Sequence, residues 1–510
     1  MRIEHALSQN AVRSPDKTAL VAGKTRLSHA ELDRMAAGLA AGLARLGVGR
    51  GDRVLVCLDN GWEAAVAIFA ILKAGAVFVP VGPSTKATKL AYVIDHCRPR
   101  AVITGPRAAQ ALAEAMGMGR TRPMAIVANA PSSALPGGFD FTALIREGAA
   151  PPDHGGGTDD LAMLIYTSGS TGQPKGVMMT HANIEAAALS VMSYLGNGAQ
   201  DTILSVLPLA HSYGLYQVLT AVMAGATLVL EKSFAFPRVI LDTMRTERVT
   251  GLPIVPTMAA MLLDQVDPAT DVFPDLRYIT TASAPLPPAR LARLRGLFPH
   301  ADVFSMYGLT ECKRATYLPP ERLADKPGSV GIAIPGTEAY VAGDEGQRLP
   351  PGVTGELMVR GPHVMQGYWK DPEATARALR PGPNPGEKML ATGDLFYADD
   401  EGFLYFVSRK DDIIKTRGEK VAPKEVEAVL LAHPDVAEAL VVGREDAVLG
   451  QSVCALVVAR GPDLAERDLM RHCARHLEDF MVPRRVIFRP SLPMTDTGKP
   501  SRRLAAESLG

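Results

Sequence analysis

The 510-residue sequence lacks several features that would assign it to particular protein classes. Its five cysteines are scattered and include no Cys-x-x-Cys pair, which argues for reduced thiols rather than a disulfide framework or a zinc site. Its 54 basic and 54 acidic side chains balance, so the chain has no net positive charge that would attract nucleic acid. The most apolar stretch, Ala64–Val81, is interrupted by Lys73 and Pro80, and the first residues carry charge where a signal peptide needs an apolar core. We therefore expect a cytoplasmic protein without a membrane span and without a nucleic-acid partner.

Hydrophobic residues make up 47% of the chain, enough for a large core divided among two or three structural units. The segment Leu27–Leu46 has apolar residues at helical spacing, and Ser28 with Glu31 forms a capping-box start. A strand, a helix and a second strand follow, at Arg53–Cys57, Trp62–Ala74 and Val77–Pro80. This order predicts a parallel α/β sheet.

Further along, the pattern predicts alternating elements. Helices are expected at Asn183–Leu195 and Pro423–Leu431, and strands at Leu161–Ile165, Ile203–Leu207, Ala437–Val442 and Val453–Val458. The segment Ala130–Asp160 is rich in Pro, Gly, Ser and Asp and predicts a long loop.

The stretch Tyr166–Gly176 concentrates hydroxyls, glycines and one lysine behind the predicted strand Leu161–Ile165. Glycines allow close approach of the backbone to an anion, hydroxyl and N–H groups donate to phosphate oxygens, and Lys175 adds a positive charge. A solvated Ser/Gly turn is the alternative. The nucleotide loop of kinases and ATPases requires Gly-Lys followed by Ser or Thr, and Lys175 instead lies between Pro174 and Gly176. We expect a phosphate-binding loop that leaves a buried strand.

A second group of residues suits nucleotide chemistry. Tyr307 offers a face for a purine ring, Thr310 a donor for the α-phosphate and Glu311 a hard oxygen ligand for Mg²⁺. A helix start at Thr310 and Glu311 is the alternative. Asp394 follows a turn glycine and can accept hydrogen bonds from both ribose hydroxyls, although a Thr-Gly-Asp sequence alone would be an ordinary turn.

Together these motifs resemble those of the adenylate-forming superfamily, which includes acyl- and aryl-CoA synthetases, peptide-synthetase adenylation domains and luciferases. The resemblance extends from Tyr166 to Lys499. It implies that the signature loop binds phosphates through Thr167, Ser168, Gly169, Ser170, Thr171, Gly172 and Lys175. It also implies an adenine-side loop at Ser283, Ala284 and Pro285, and a substrate-side motif at Pro208–Gly214 in which His211 lines the acyl pocket. A lone histidine in an apolar setting is more often a core residue.

The resemblance implies further roles near the C-terminus. Arg409 belongs to a charged segment similar to the family's interdomain hinge, although Ser408 replaces the usual glycine. Asp411 is the expected hinge, Gly418 borders the expected path of the thiol, and Lys499 is the expected catalytic lysine on the closing loop. A lysine in a tail is otherwise most often solvated.

The implied fold class is α/β and α+β, with a large multi-sheet N-terminal domain at 1–410 and a small mobile α+β lid at 411–510. The implied enzyme is an AMP-forming acid–thiol ligase that uses ATP and Mg²⁺ to convert a carboxylic acid into an acyl-adenylate. The resemblance implies that Lys175, Thr310, a Mg²⁺ held by Glu311, and Lys499 would stabilise the charge on the phosphates. CoA is the expected source of the thiol, because it is the commoner acceptor of free-standing members, and a separate carrier protein is the alternative.

Two alternatives belong to other classes. A noncatalytic nucleotide sensor on the same fold would have lost the charged residues, whereas Lys175, Glu311, Asp394, Arg409 and Lys499 are all in place. A luciferase-like oxygenase has no supporting residue. Amino-acid-activating relatives carry an Asp that pairs with the substrate ammonium, and Ser212 occupies that position here. The sequence therefore favours acyl or aryl acids over α-amino acids.

Overall fold

The computed structural model describes residues 1–130, 135, 137–146, 150–168, 173–268, 271–282, 286, 288–417, 419–446, 448–462, 464–495 and 499–509. The chain forms two compact units. The first unit comprises Met1–Ala339 and Val359–Ala391, and the second comprises Tyr340–Met358 and Thr392–Gly510. These units do not coincide with the expected division after Lys410, which stays a prediction.

The helices and strands are numbered here in chain order. The helices are α1 Ile3–Arg13, α2 His29–Arg45, α3 Trp62–Lys73, α4 Ala87–Cys97, α5 Pro106–Met118, α6 Phe141–Arg146, α7 His181–Leu195, α8 Ser212–Ala224, α9 Pro237–Thr246, α10 Pro256–Leu263, α11 Pro288–Leu297, α12 Pro372–Ala378, α13 Pro423–Leu431, α14 Glu466–Ala474 and α15 Arg502–Glu507. The strands are β1 Thr18–Ala22, β2 Thr25–Ser28, β3 Arg53–Cys57, β4 Val77–Pro80, β5 Ala101–Thr104, β6 Met124–Val127, β7 Phe139–Asp140, β8 Leu161–Ser168, β9 Pro174–Thr180, β10 Thr202–Ser205, β11 Thr227–Leu230, β12 Gly251–Ile254, β13 Tyr278–Thr281, β14 Asp302–Tyr307, β15 Thr316–Leu318, β16 Ile332–Ala333, β17 Glu338–Ala342, β18 Gly355–Arg360, β19 Gly367–Tyr368, β20 Leu379–Pro381, β21 Lys388–Ala398, β22 Leu404–Arg409, β23 Ile414–Thr416, β24 Glu419–Val421, β25 Val436–Asp446, β26 Gly450–Ala459 and β27 Arg485–Phe488.

The first unit contains two large sheets. One has nine strands in the order β16-β15-β14-β13-β12-β10-β11-β1-β2, and the other has eight in the order β19-β9-β8-β4-β3-β5-β6-β7. Strands β3 and β4 pair in parallel, as predicted from the strand, helix and strand between Arg53 and Pro80. Apolar side chains of β3, β4, β5 and β6 form a buried core together with apolar side chains of α4 and α5. The phosphate-binding stretch belongs to the same sheet, so its position is fixed by this core.

The second unit has its own core around the sheet β24-β23-β26-β25, to which β27 is added beside β26. Apolar side chains of α13 and α14 cover one face of this sheet. A smaller apolar cluster, which includes Leu492 and Ala505, contains the alternate side chains of β25 and β26 that are not part of the first cluster. A further sheet has the order β17-β18-β21-β20 with β22 beside β21, and the unit boundary falls within β17, β18 and β21.

Most local predictions agree with the structure. Helix α2 begins with the predicted capping box, in which the Glu31 amide donates to Ser28 and the Ser28 amide donates to Glu31. The predicted helix at Pro423–Leu431 has these bounds in the structure. The segment Ala130–Asp160 was wrong as a continuous loop, because it contains β7 and α6. Asp140 caps α6 by accepting the Ala143 amide at 2.6 Å, and this local bond starts the helix.

All five cysteines lie in the described part of the chain, where they are buried and form no disulfide. Cys57, Cys97 and Cys312 belong to the first unit, and Cys454 and Cys473 to the second. Among the described residues, no helix is both long enough and apolar enough to cross a lipid bilayer.

Candidate active site

The phosphate-binding stretch lies on a β-hairpin. Strands β8 and β9 are antiparallel, with Thr167 opposite Lys175 and Ser168 opposite Pro174. The expectation that the stretch leaves its strand at Tyr166 is therefore wrong, because β8 continues to Ser168 and β9 already begins at Pro174. The residues between them, Gly169, Ser170, Thr171 and Gly172, lie outside the described residues. The hairpin fixes the backbone of Lys175 on a paired strand.

Tyr368 connects Lys175 with Glu311. It lies on β19, which pairs with β9 so that Tyr368 is opposite Val177. The Lys175 Nζ lies 5.3 Å from the centroid of the Tyr368 ring, within range of a cation–π interaction. The Tyr368 hydroxyl donates a hydrogen bond of 2.8 Å to Glu311 Oε1. The structure therefore brings the predicted phosphate lysine and the predicted metal carboxylate to one aromatic side chain.

Glu311 lies in a turn between β14 and β15. Tyr307 ends β14, and Thr310 and Glu311 are in the turn, so the alternative of a helix start is wrong. The Met365 amide donates to the Glu311 carbonyl at 2.8 Å and holds the turn in place. The turn folds back closely, since a Cβ at Gly308 would lie 2.4 Å from the Lys313 carbonyl oxygen. A side chain at this position would push the turn out of place.

The predicted substrate-side segment, Pro208–Gly214, runs into the first turn of α8. His211 is the N-cap residue of this helix and is exposed to solvent. Asn60 holds the segment in place by donating to the Leu207 carbonyl at 3.0 Å and accepting the Leu209 amide at 3.1 Å. Buried side chains of α7, α8, β13 and the turn after β14 surround a small cavity next to this segment. Lys313 and Arg314 lie in its wall.

The second unit contains the predicted residues Asp394, Arg409 and Lys499. Asp394 lies on β21 opposite Arg409 on β22, and Arg409 Nε is 3.3 Å from Asp394 Oδ1. Gly393 is in the left-handed region with φ +72°, so the predicted turn glycine lies within a strand. Desolvation and then the charge of Arg409 lower the pKa of Lys499 from its usual value. The residue is nevertheless exposed, so solvent screens much of this effect.

The structure describes only some of the other predicted positions. Asp411 lies in a short 3₁₀ turn, Lys410–Asp412, and is exposed. Gly418 and the predicted adenine-side residues Ser283, Ala284 and Pro285 lie outside the described residues. The Lys499 amide donates to Thr495 Oγ1 at 3.2 Å, which ties the lysine to the start of its own loop.

Within the described ranges no group of three or more His, Cys, Asp or Glu side chains could hold a metal ion. A single carboxylate suits Mg²⁺ nevertheless, because Mg²⁺ in nucleotide sites binds one or two carboxylates together with phosphate oxygens and water. Glu311 fits that pattern.

Comparison with known protein families identifies the family of this chain. A model described as AMP-binding enzyme matches residues 7–369, and one described as AMP-binding enzyme C-terminal domain matches residues 425–499. The chain belongs to the AMP-binding enzyme family. The expected resemblance to adenylate-forming enzymes is therefore confirmed.

Individual relatives agree with this assignment. The AMP-binding enzyme is 34% identical to a feruloyl-CoA synthase of an Amycolatopsis species, with 96% of each chain covered. It is 32% identical to the oxalate–CoA ligase of Arabidopsis thaliana, over 98% of this chain and 97% of that one. Among solved structures, it matches the o-succinylbenzoate coenzyme A synthetase of Bacillus subtilis in complex with ATP and magnesium ion. The TM-score is 0.85 at 30% identity, and 98% of each chain is covered.

These comparisons confirm the expected fold class, a large N-terminal domain of mixed α/β structure with a smaller C-terminal domain, and the expected enzyme class, an AMP-forming acid–thiol ligase. Sequence reasoning missed Tyr368, Lys313 and Arg314. Tyr368 had a weak local signal, the pair Tyr368-Trp369 behind a glycine. Lys313 and Arg314 follow the predicted Glu311 directly.

Proposed function

We propose that this enzyme activates an acyl or aryl acid with Mg-ATP and transfers the acyl group to the thiol of coenzyme A. In the first step a carboxylate oxygen attacks the α-phosphorus of ATP, and the bond from that phosphorus to pyrophosphate breaks. In the second step the thiolate sulfur attacks the acyl carbon and AMP leaves. Both substrates, ATP and coenzyme A, are abundant in the cytoplasm, in keeping with the predicted location.

The observation that carries this proposal is the grouping of Lys175, Tyr368 and Glu311. Lys175 would bind the pyrophosphate end of ATP, while Glu311 would hold the Mg²⁺ that neutralises phosphate charge. The Tyr368 hydroxyl donates to one carboxylate oxygen of Glu311 and so fixes the orientation of the other. A cation and a metal ligand held in one place before ATP binds need little rearrangement during the reaction.

The remaining roles follow the family pattern. Tyr307 would lie against the adenine with Ser283–Pro285, Asp394 would accept the ribose hydroxyls, and Thr310 would donate to the α-phosphate. Thr167–Gly172 would contribute hydroxyl and amide donors to the phosphates. His211 would line the acid pocket, and Lys499 would assist adenylation. The hinge at Asp411 and the thiol path at Gly418 belong to the second step.

The substrate segment supports acids without an ammonium group. Ser212 stands where amino-acid-activating relatives have Asp, and the Ser212 carbonyl accepts a hydrogen bond from Lys313 Nζ at 3.1 Å. An α-amino acid would therefore find no carboxylate at this position to pair with its ammonium. Bringing an unpaired ammonium there would cost several kcal/mol, on the order of the penalty for an uncompensated buried charge.

The test is ATP–pyrophosphate exchange with a panel of carboxylic acids, followed by acyl transfer with coenzyme A and with a carrier protein. We expect exchange with acyl or aryl acids and product formation with coenzyme A. Glu311→Gln should reduce exchange by roughly two orders of magnitude, the scale for one preorganised electrostatic contact. The matched change Glu345→Gln, at an exposed residue, should leave it unchanged.

Three outcomes would count against the proposal. ATP binding without exchange for any acid would point to a noncatalytic nucleotide sensor. Exchange with one proteinogenic amino acid alone would contradict the substrate class. Acyl transfer to a carrier protein but not to coenzyme A would change the acceptor while leaving adenylation intact.

A further inference from the structure

The proposed hinge lies where the chain passes from one sheet of the second unit to another. Strand β22 ends at Arg409 in the sheet that contains β18 and β21, and β23 begins at Ile414 in the sheet that contains β25 and β26. The short turn between them, Lys410–Asp412, consists of three charged residues. The residues on the two sides of Asp411 form ion pairs with partners that belong to different parts of this unit.

Glu356 holds the residue before the hinge. It lies on β18 and is 8% exposed. Its Oε2 accepts a hydrogen bond from Lys410 Nζ at 3.2 Å, and its Oε1 accepts the Gly393 amide at 3.0 Å. A buried carboxylate needs such donors, because they replace the water it has lost. Lys410 is therefore attached to β18 and, through the same carboxylate, to the strand that carries Asp394.

Arg502 holds the residue after the hinge. It lies on α15, and its Nη1 donates to Asp412 Oδ2 at 2.9 Å. Its Nη2 donates to Glu427 Oε1, and its Nε donates to the Val441 carbonyl at 3.1 Å. Because the guanidinium is planar, these three bonds fix its orientation. Asp412 is therefore attached to α13 and β25, whose apolar side chains belong to the core around β24-β23-β26-β25.

The two attachments differ in strength. The Lys410 side chain is 48% exposed, so solvent weakens its attraction to Glu356. The side chains of Arg502 and Asp412 are only 21% and 24% exposed. Glu427, which shares Arg502 with Asp412, is 6% exposed, so that releasing the arginine would leave a buried carboxylate with fewer donors. The segment after the hinge is therefore held more firmly than the segment before it.

These contacts decide where the backbone can turn. A charged turn would ordinarily be solvated, and Asp411 itself is exposed. Rotation about the backbone of Lys410 or of Asp412 would pull a charged side chain away from its partner. Rotation about Asp411 leaves both ion pairs intact, so it is the change of conformation with the lowest cost.

We propose that Glu356 and Arg502 are positioning residues for the two-step reaction, which hold the chain on both sides of Asp411 so that the lid rotates about this residue alone. The inference rests on the proposed function, because it concerns the hinge assigned there. A hinge of one residue has two backbone torsions, so the lid has little conformational freedom to lose when it reaches each reactive orientation.

The first experiment loosens each attachment in the full-length enzyme. Lys410→Met and Asp412→Asn each remove one charge from the turn. We expect both half-reactions to slow roughly 10-fold in kcat, the scale of freeing the backbone of one residue, with KM for ATP little changed. Lys410→Arg and Asp412→Glu keep the charges and should largely restore the rates. Lys388→Met and Asp400→Asn, at exposed residues, are the matched controls.

The second experiment tests whether the attachments confine the rotation. Asp411→Pro restricts the hinge, and Asp412→Asn frees the backbone next to it. If the attachments confine rotation to Asp411, the proline should slow the thiol step several-fold less in the Asp412→Asn background than in the parent, because a neighbouring residue can now turn. An attachment that only stabilises the fold would give losses that multiply, and that result would refute the inference.

The remaining outcomes separate this inference from the proposed function. An active parent whose rates are unaffected by Lys410→Met and by Asp412→Asn would refute the inference and leave the proposed function intact. A parent that carries out neither half-reaction would refute both. If Asp412→Asn fails to fold, Asp411→Pro is combined with Lys410→Met, at an exposed lysine, and the same partial relief of the thiol step is expected.

Discussion

Acidification should destabilise the first unit through His181, the first residue of α7. Its side chain is completely buried, and its Nδ1 accepts the Ile3 amide at 3.2 Å. Protonating Nδ1 would place two hydrogens against each other and a cation at a helix N-terminus, where the macrodipole is unfavourable. Glu4 Oε2 lies 3.6 Å away and would favour the charged ring. Arg2, however, already neutralises Glu4 through a contact of 2.6 Å.

The size of the effect follows from linkage. Burial, followed by the charge of Arg2, lowers the pKa of His181 from 6.5 to about 3. Because the unfolded chain binds the additional proton between these two values, stability is complete above about pH 6.5 and falls as the pH falls towards 3. Between pH 7.5 and pH 5.0 the loss from this one histidine is about 2 kcal/mol. His363, whose pKa burial lowers to about 4, should add a similar loss.

Urea unfolding followed by tryptophan fluorescence measures the unfolding free energy of the first unit. The chain has two tryptophans, and both Trp62 and Trp369 lie in the first unit together with His181. His181→Asn keeps an acceptor for the Ile3 amide but does not titrate. It should reduce the loss of unfolding free energy between the two pH values by about 2 kcal/mol. His300→Asn, at an exposed histidine, should leave the loss unchanged. If His181→Asn loses as much stability as the parent, the assignment of a neutral buried imidazole is wrong.

Three further predictions concern the reaction. Lys499→Ala should slow adenylation by roughly two orders of magnitude and leave thiol capture of a supplied acyl-adenylate nearly intact; assays of the two half-reactions decide, and a normal adenylation rate would make Lys499 an ordinary tail lysine. Tyr368→Phe removes the 2.8 Å bond to Glu311 but keeps the ring beside Lys175, so we expect a loss of roughly 10-fold in adenylation with weaker apparent Mg²⁺ affinity; an unaltered Mg²⁺ titration would remove Tyr368 from the site. Asp411→Pro should restrict the backbone at the hinge and impair the thiol step more than adenylation; equal losses in both steps would contradict a rotating lid.

Local chemistry was readable from the sequence. The capping box at Ser28 and Glu31 depends on side chains three residues apart, and the parallel pair β3–β4 depends on a short strand, helix and strand. Helix α6 was missed because Pro, Gly and Asp dominate its surroundings, although Asp140 is a recognisable N-cap residue. Phe141 is buried, and tertiary packing of this kind overrides the composition of the segment.

The missed site residues had a different cause. Tyr368 contacts Glu311, which lies 57 residues earlier in the sequence, and Lys175, which lies even farther away. A local sequence pattern therefore cannot predict its role. Lys313 and Arg314 are ordinary surface residues by composition. Their burial depends on the tight turn at Gly308 and on the tyrosines of α8. Only the three-dimensional structure shows that these two basic side chains line one cavity, and that no Asp or Glu among the described residues lines it.

The buried cysteines can report which unit of the protein unfolds first, because they are divided unequally between the two units. Burial raises the pKa of Cys57 and Cys97 to about 12 and of Cys473 to about 11, which suppresses the reactive thiolate. A coloured disulfide reagent should therefore count coenzyme A thiols in an assay mixture with little background from the folded enzyme. With three cysteines in the first unit and two in the second, partial labelling under mild denaturant would reveal by mass alone which unit opens first.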